Sequence, residues 1–392
     1  MTAHDLDTEA STARAQLTQS LADAGVITDP AWRAAFREVP RHLFVPAFYD
    51  HTGRLIRGDD PGTAAEWFAA VHDDRPLVTR RTDGVATSSS TEPSLMAEML
   101  HALDVEDGMR VLEIGTGTGY NAGLLAHRLG GAQVVTVDLS PDITGPARAH
   151  LAAAGLSPFV VTGDGVDGWP SGAPYDRIIA TCRLHAIPLP LLQQLTADGL
   201  LLAPLGGALA LLRRTGSDAA EGRFLSRAFF MAMRRGGADT GVSRRPPLPE
   251  GRARQSSVGA SLLADNDFRF LVSVVAPGLV WQYDLTQEGK PEAARVWAPD
   301  GSIASLAADG SVREAGPRRL WALIEDAHDV FVDADSPGPG RYGVSVTGPE
   351  QRVWLDEPGG HGWGLIGSGT VPPPPAACGR PAAARDPRHG WG

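Results

Sequence analysis

From Arg110 onward the chain alternates short apolar runs with stretches of helical spacing. Residues 109–114 (MRVLEI), 133–138 (QVVTVD), 159–164 (FVVTGD), 176–181 (DRIIAT) and 199–205 (GLLLAPL) read as buried strands. Between them, 121–129, 142–155 and 187–195 read as helices, the second weakened by Gly145 and Pro146. Such alternation predicts an α/β fold: a doubly wound, mostly parallel sheet, Rossmann-like, with right-handed crossovers and ligands at the strand C-terminal edge.

Upstream, residues 12–24 read as a short helix. A second starts at Pro30, with Trp32, Ala35, Phe36 and Val39 on one face. After a mixed polar stretch comes the hydroxyl run Thr87, Ser88, Ser89, Ser90, Thr91. Glu92, Pro93 and Ser94 then lead into LMAEMLHAL, which predicts that the run lies at a helix N-terminus. Downstream, 208–214 and 222–233 read as two antiparallel strands, and 268–276 (FRFLVSVVA), 279–283, 294–298, 342–346 and 352–356 as further strands. In 317–332, Leu320, Ile324, Ala327 and Phe331 share a helical face. Six of the nine Trp follow residue 280, enough aromatic bulk for a small separate core. The expected organisation is a catalytic domain at 1–214, a C-terminal α+β extension at 215–370 that recognises substrate, and a disordered tail at 371–392.

Composition narrows the function. A net charge of −11 argues against broad phosphate neutralisation, so no nucleic-acid partner is expected. The basic residues are nearly all Arg, with Lys290 the exception, which reads as codon bias. One local exception to the acidic balance is 234–254, with Arg234, Arg235, Arg244, Arg245, Arg252 and Arg254 against Asp239 and Glu250. That stretch reads as a linker or arm, equally a solvated loop or a contact for acidic substrate. Cys182 and Cys378 form no disulfide framework or zinc spacing, so no metal and a reducing, cytoplasmic setting are expected. The start is polar and acidic rather than a signal peptide, and no apolar run suits a membrane span.

The most specific motif is VLEIGTGTGYN at 111–121, in which Gly115, Gly117 and Gly119 lie between a strand and a helix. Glycines there allow a sharp turn and close ligand approach to bare backbone. The spacing lacks the last glycine of the dinucleotide fingerprint, which points away from NAD. Asp138 ends the next strand, where a carboxylate can accept both hydroxyls of a ribose. Asp164 ends the third, where it can accept from an adenine amino group; alternatively, both cap the following helices. Turn and carboxylates together favour an adenosine-containing cofactor. Cys182 and His185 read as an inert thiol and a packing or surface histidine, and His42 as a packing or capping residue.

These stretches, with VPRHLFVP at 39–46, ATSSSTEPSLMA at 86–97, GDG at 163–165 and YDRIIATC followed by IP, resemble the protein-L-isoaspartate O-methyltransferase family, class I S-adenosylmethionine-dependent methyltransferases, over about residues 15–212. The resemblance implies S-adenosyl-L-methionine as cofactor and S-adenosyl-L-homocysteine as product. It implies cofactor contacts from Glu113, Gly115, Thr116, Gly117, Gly119, Tyr120, Asn121, Asp138, Leu139, Asp164 and Gly165. The family's hydroxyl before an uncharged residue and Pro falls on Thr91, before Glu92 and Pro93. Thr91 is the expected positioning group at the catalytic centre, with Ser90, Ser89 and Ser88 beside it. No general base is expected, because a carboxylate acceptor is already ionised at neutral pH. About 175 residues beyond the catalytic part resemble the long actinobacterial homologues that accompany graspetides and lanthipeptides. That likeness implies esterification of an Asp in a modified ribosomal precursor peptide and then an aspartimide, with repair of isoaspartyl residues in damaged proteins as the alternative. The acceptor Asp and the oligomeric state are left open.

Overall fold

The computed structural model describes residues 3–82, 84–234 and 246–365. First come α1 (Ala3–Asp23), α2 (Pro30–Glu38), α3 (Arg41–Phe44), β1 (Ala47–Tyr49), β2 (Leu55–Arg57), α4 (Ala64–Val71), β3 (Leu77–Thr82), β4 (Val85–Ser90) and α5 (Pro93–Ala102). α2 begins where predicted: the Asp29 carboxylate accepts the Ala31 N–H at 2.6 Å, Pro30 occupies the first turn, and Trp32, Ala35 and Phe36 are buried. The four strands form a small antiparallel sheet in the order β2-β1-β3-β4. The hydroxyl run does lead up to a helix N-terminus, with α5 starting at Pro93, but most of the run is itself a strand. Residues 87–90 belong to β4, and at the start of α5 the Glu92 cap position makes no side-chain bond. Pairing with β3 holds residues 85–90 extended, so these hydroxyls are not turned onto the helix start.

The alternating segment folds as β5 (Val111–Ile114), α6 (Tyr120–Leu129), β6 (Val134–Asp138), α7 (Pro141–Ala153), β7 (Phe159–Thr162), β8 (Tyr175–Ala180), α8 (Leu189–Gln193) and β9 (Leu195–Leu205). These strands run parallel in the order β7-β6-β5-β8-β9. Their unbroken apolar runs follow from burial on both faces. The chain builds outward from β5 through β6 to β7, then returns to place β8 on the other flank of β5. That reversal opens a crevice at the C-terminal ends of β5 and β8.

Antiparallel strands β10 (Ala208–Gly216) and β11 (Ala219–Arg227) continue the sheet without a break across residue 214. Next come β12 (Arg254–Gln255), α9 (Asn266–Val275), β13 (Val280–Leu285), β14 (Pro291–Trp297), β15 (Ile303–Leu306), β16 (Ser311–Ala315), α10 (Leu320–Asp333), β17 (Tyr342–Thr347), β18 (Glu350–Leu355) and β19 (Gly362–Gly364). The last three add to β11, giving ten strands in the order β19-β18-β17-β11-β10-β9-β8-β5-β6-β7. A second, five-stranded sheet runs β12-β16-β15-β14-β13.

Two expectations for this half are corrected. The run FRFLVSVVA is the helix α9, not a strand. The Asp265 carboxylate accepts the N–H groups of Asp267 and Phe268 at 2.8 and 3.2 Å, and a short β-branched apolar run suits a buried helix as well as a strand. Nor is the aromatic core separate. Trp321 and Ile324 of α10 belong to one continuous core with Leu112 and Ile178 of the parallel sheet. Phe270 of α9 links them, 4.9 Å from the Phe224 ring of β11 and 5.1 Å from Tyr342 of β17. Pairing of β17 with β11 makes one surface of the two halves, so apolar groups on both sides bury against each other. Among the described residues no helix is long and apolar enough to cross a membrane. The expected tail at 371–392 lies outside the described residues.

Candidate active site

A cavity of about 730 Å³ opens at the C-terminal ends of β5 and β8, where the strand order reverses. One face is the glycine turn. Gly115 has φ +102°, and a Cβ there would meet Thr181 Oγ1 at 2.7 Å; Gly117 has φ +51° and faces the Ser89 carbonyl. Both conformations suit glycine and bring bare backbone to the cavity. Thr181 Oγ1 in turn donates to the Gly115 carbonyl at 2.6 Å, fixing the turn against β8.

Buried and half-buried polar groups organise this face. The Asp138 carboxylate accepts the N–H groups of Gly117 at 3.0 Å and Leu139 at 2.8 Å, while burial pushes its pKa above the usual carboxylate range. Glu113, fully buried on β5, accepts from Thr136 Oγ1 at 2.6 Å and Asn121 Nδ2 at 2.8 Å. Burial raises its pKa to about 7 against the pull of those bonds. Thr116 Oγ1 lies 2.7 Å from the Thr136 hydroxyl, and Tyr120 packs edge-on to Phe44 at 5.6 Å. Gly119 caps α6. Gly165 and Leu139 also line the cavity. Asp164 does not: its carboxylate accepts the Val166 N–H at 3.0 Å, closing a turn where no helix starts.

The opposite face is β4 and its exit. Thr87, Ser88, Ser89, Ser90 and Thr91 all line the cavity. Ser90 is buried and its Oγ accepts from Arg41 Nη2 at 3.5 Å, and Ser88 Oγ accepts from Thr79 at 3.3 Å. The hydroxyls of Ser89 and Thr91 make no hydrogen bond to another described side chain or backbone group. Arg41 holds this face from behind. It is 1% exposed and donates to the carbonyls of Val71, Asp73, Arg75 and Thr91 at 3.0–3.3 Å. Arg41 was not singled out from sequence, because a lone Arg in VPRHLFVP carries no spacing signal.

The rim comes from a segment expected to be part of a strand. β11 ends at Arg227, and 228–234 turns back beside β8: the Arg183 N–H donates to the Met231 carbonyl at 2.8 Å, and the Met233 N–H to the Arg183 carbonyl at 2.9 Å. Arg234 Nη2 donates to the Thr87 carbonyl at 3.2 Å, and its charge acts on Asp138. Of the other arginines in that stretch, Arg254 pairs with Glu314 and Glu325 at 3.2 and 2.7 Å and is structural, whereas Arg235, Arg244 and Arg245 lie outside the described residues. Cys182 lines the cavity, and burial pushes its thiol up to about 12, which disfavours the reactive thiolate. His42 is neutral, with its pKa lowered to about 4 by burial and Arg14. No group of metal-binding side chains occurs among the described residues.

A family model described as protein-L-isoaspartate(D-aspartate) O-methyltransferase (PCMT) matches residues 64–234. The protein-L-isoaspartate O-methyltransferase of Methanoculleus marisnigri is 39% identical over 181 residues, covering 46% of this chain and 71% of that relative. The one from Methanoregula boonei is 40% identical over 202 residues, 50% of this chain and 82% of its own. The chain belongs to the protein-L-isoaspartate O-methyltransferase family. It is accordingly an S-adenosyl-L-methionine-dependent carboxyl O-methyltransferase. A solved structure described as protein-L-isoaspartate O-methyltransferase aligns over its whole length with 88% of this chain, at a TM-score of 0.52 and 22% identity, a likeness of fold.

The residues present fit that cofactor. Asn121 Oδ1 is buried without a partner. Asp138 keeps a desolvated carboxylate at the cavity, and the glycine turn leaves room that side chains would fill. A ligand rich in hydroxyl and amino donors satisfies such acceptors.

Proposed function

We infer that this methyltransferase esterifies the free α-carboxylate of L-isoaspartyl residues in proteins and peptides. The observation that carries the reading is the pairing of two faces across one cavity, the glycine turn with Asp138 on one side and hydroxyl-bearing residues 87–91 on the other, with no histidine among the described lining residues. A carboxylate of pKa about 4 is ionised at neutral pH and needs no base. What the protein supplies is placement and exclusion of water.

When bound, S-adenosyl-L-methionine supplies a sulfonium-activated methyl group that a carboxylate oxygen can take without any proton changing hands. Asp138 and the backbone at Gly115–Gly119 hold the cofactor. Ser89 and Thr91 hold one oxygen of the acceptor so that the other faces the methyl. Arg41 keeps their backbone in place, and Arg234 closes the rim over Thr87 and Asp138.

The finer reading, esterification of an ordinary Asp in a modified ribosomal precursor, draws on the extension alone. Fold likeness to a solved chain of the family covers 88% of this one, so length beyond the parallel sheet does not favour tailoring. The test is mass spectrometry of full-length protein incubated with S-adenosyl-L-methionine and, in parallel, an isoaspartyl peptide, its Asp counterpart and a ring-bearing precursor peptide. The isoaspartyl peptide is expected to gain one methyl group and then lose methanol, with its Asp counterpart unchanged. Esterification of the precursor's Asp, with none on the isoaspartyl peptide, would establish tailoring instead. Absence of ester on all three would remove both readings.

A further inference from the structure

Behind Phe229 and Phe230, which also line the large cavity, lies a second one of about 140 Å³. Both halves of the chain build it: Arg183 just past β8 from one side, Arg269 of α9 and Trp281 of β13 from the other. Its volume is close to the roughly 150 Å³ of an apolar cavity that admits benzene, room for one side chain.

Its charge is one-sided: Arg183 and Arg269 line it, and among the described residues no Asp or Glu does. The Arg183 Nε is buried without a hydrogen-bond partner, and burial lowers the guanidinium pKa with no carboxylate opposing it. Arg269 lies over the Phe229 ring at 5.8 Å. The carboxylate near it on α9, Asp267, is paired with Arg227 at 3.5 Å. Neither Arg183 nor Arg269 has an ion-pair partner among the described residues. A desolvated guanidinium with no carboxylate partner is unfavourable until an anion joins it, and the planar fork of Arg suits a carboxylate.

We propose that this second cavity is a substrate subsite for the side-chain carboxylate of an Asp or Glu lying close in sequence to the methyl-accepting residue. The shared wall of Phe229 and Phe230 puts the two groups on one peptide, and Phe229, 58% exposed, gives the intervening chain an apolar surface. This subsite rests on the isoaspartyl reading of the large cavity.

The test uses full-length protein and isoaspartyl peptides carrying Glu, Gln or Lys in turn at each of the three positions on either side of the acceptor. At one position or more, Glu is expected to exceed Gln in kcat/KM by about tenfold, chiefly through KM, with Lys lower still. Arg183→Ala and Arg269→Ala each bring the Glu to Gln ratio towards one, whereas Arg183→Lys keeps part of it. A merely structural role would lower both peptides together and leave the ratio unchanged. Arg269 is half-buried, so its variant decides the matter if Arg183→Ala does not fold. Equal rates for Glu and Gln at every position, or a ratio undiminished in the folded alanine variants, would overturn the subsite and leave the isoaspartyl reading intact. If wild-type protein methylates no peptide of the series, that reading fails and the subsite with it.

Discussion

The two faces of the large cavity are built differently. On the cofactor face, Gly115, Gly117 and Asp138 belong to one β–α–β unit, and the Gly117 N–H is 3.0 Å from the carboxylate that ends the next strand. On the acceptor face, the backbone of β4 and its exit is held at the Thr91 carbonyl by Arg41 from α3 and at the Thr87 carbonyl by Arg234 from beyond β11. A face made by one local unit is fixed by backbone conformation; a face assembled from distant segments depends on a few long side chains. Cofactor binding and acceptor placement are therefore separable by mutation.

The largest effect is expected on the local face. Gly115→Val combines a positive φ with a clash against Thr181 and should reduce S-adenosyl-L-homocysteine affinity by about a thousandfold or more, read by calorimetry. Arg41→Ala should act on the other face alone. It removes the donor for four backbone carbonyls, should cost about 4 kcal/mol in denaturant unfolding, and should lower kcat. If its S-adenosyl-L-homocysteine affinity fell as far as its kcat, the faces would not be separable.

Glu113 gives a test by pH. Its folded pKa of about 7 lies above its unfolded value, so the folded state holds the extra proton. The contribution is full below about pH 4 and is lost as pH rises towards and through 7, a span worth about 3 kcal/mol. Glu113→Gln should remove that slope from a stability–pH profile, and an unchanged profile would exclude Glu113 as its source. Asp138→Ala comes next: loss of a charged acceptor should weaken S-adenosyl-L-homocysteine by roughly 30- to 100-fold, with acceptor KM little changed. Thr91→Val is the smallest, about tenfold in kcat/KM with cofactor affinity intact, and Thr91→Ser should restore most of it. Wild-type kinetics in Thr91→Val would transfer the role to Ser89.

The same contrast explains what could be read from sequence. The parallel strands, the glycine turn and Asp138 were legible because periodicity and motif act over a few residues. Arg41 and Arg234 reach their partners across about 50 and 147 residues, a distance no local pattern encodes. α9 was misread because its apolar run suits either state, and the decisive signal, Asp265 as its cap, lies just outside the run. The hydroxyl run does precede a helix, α5, but its own extension as a strand paired with β3 has no signal in a short run of Ser and Thr. The expected separate core failed for a related reason: the strand partner of β11 is 115 residues or more downstream, in β17.

The most direct test of the two-faced site is a crystal structure of the protein with S-adenosyl-L-homocysteine and an isoaspartyl peptide. The account predicts the adenosine hydroxyls on Asp138 and the isoaspartyl α-carboxylate within hydrogen-bond distance of Ser89 or Thr91, one oxygen turned towards the sulfur. A peptide whose carboxylate is bound away from β4, with the sulfur facing other groups, would contradict it.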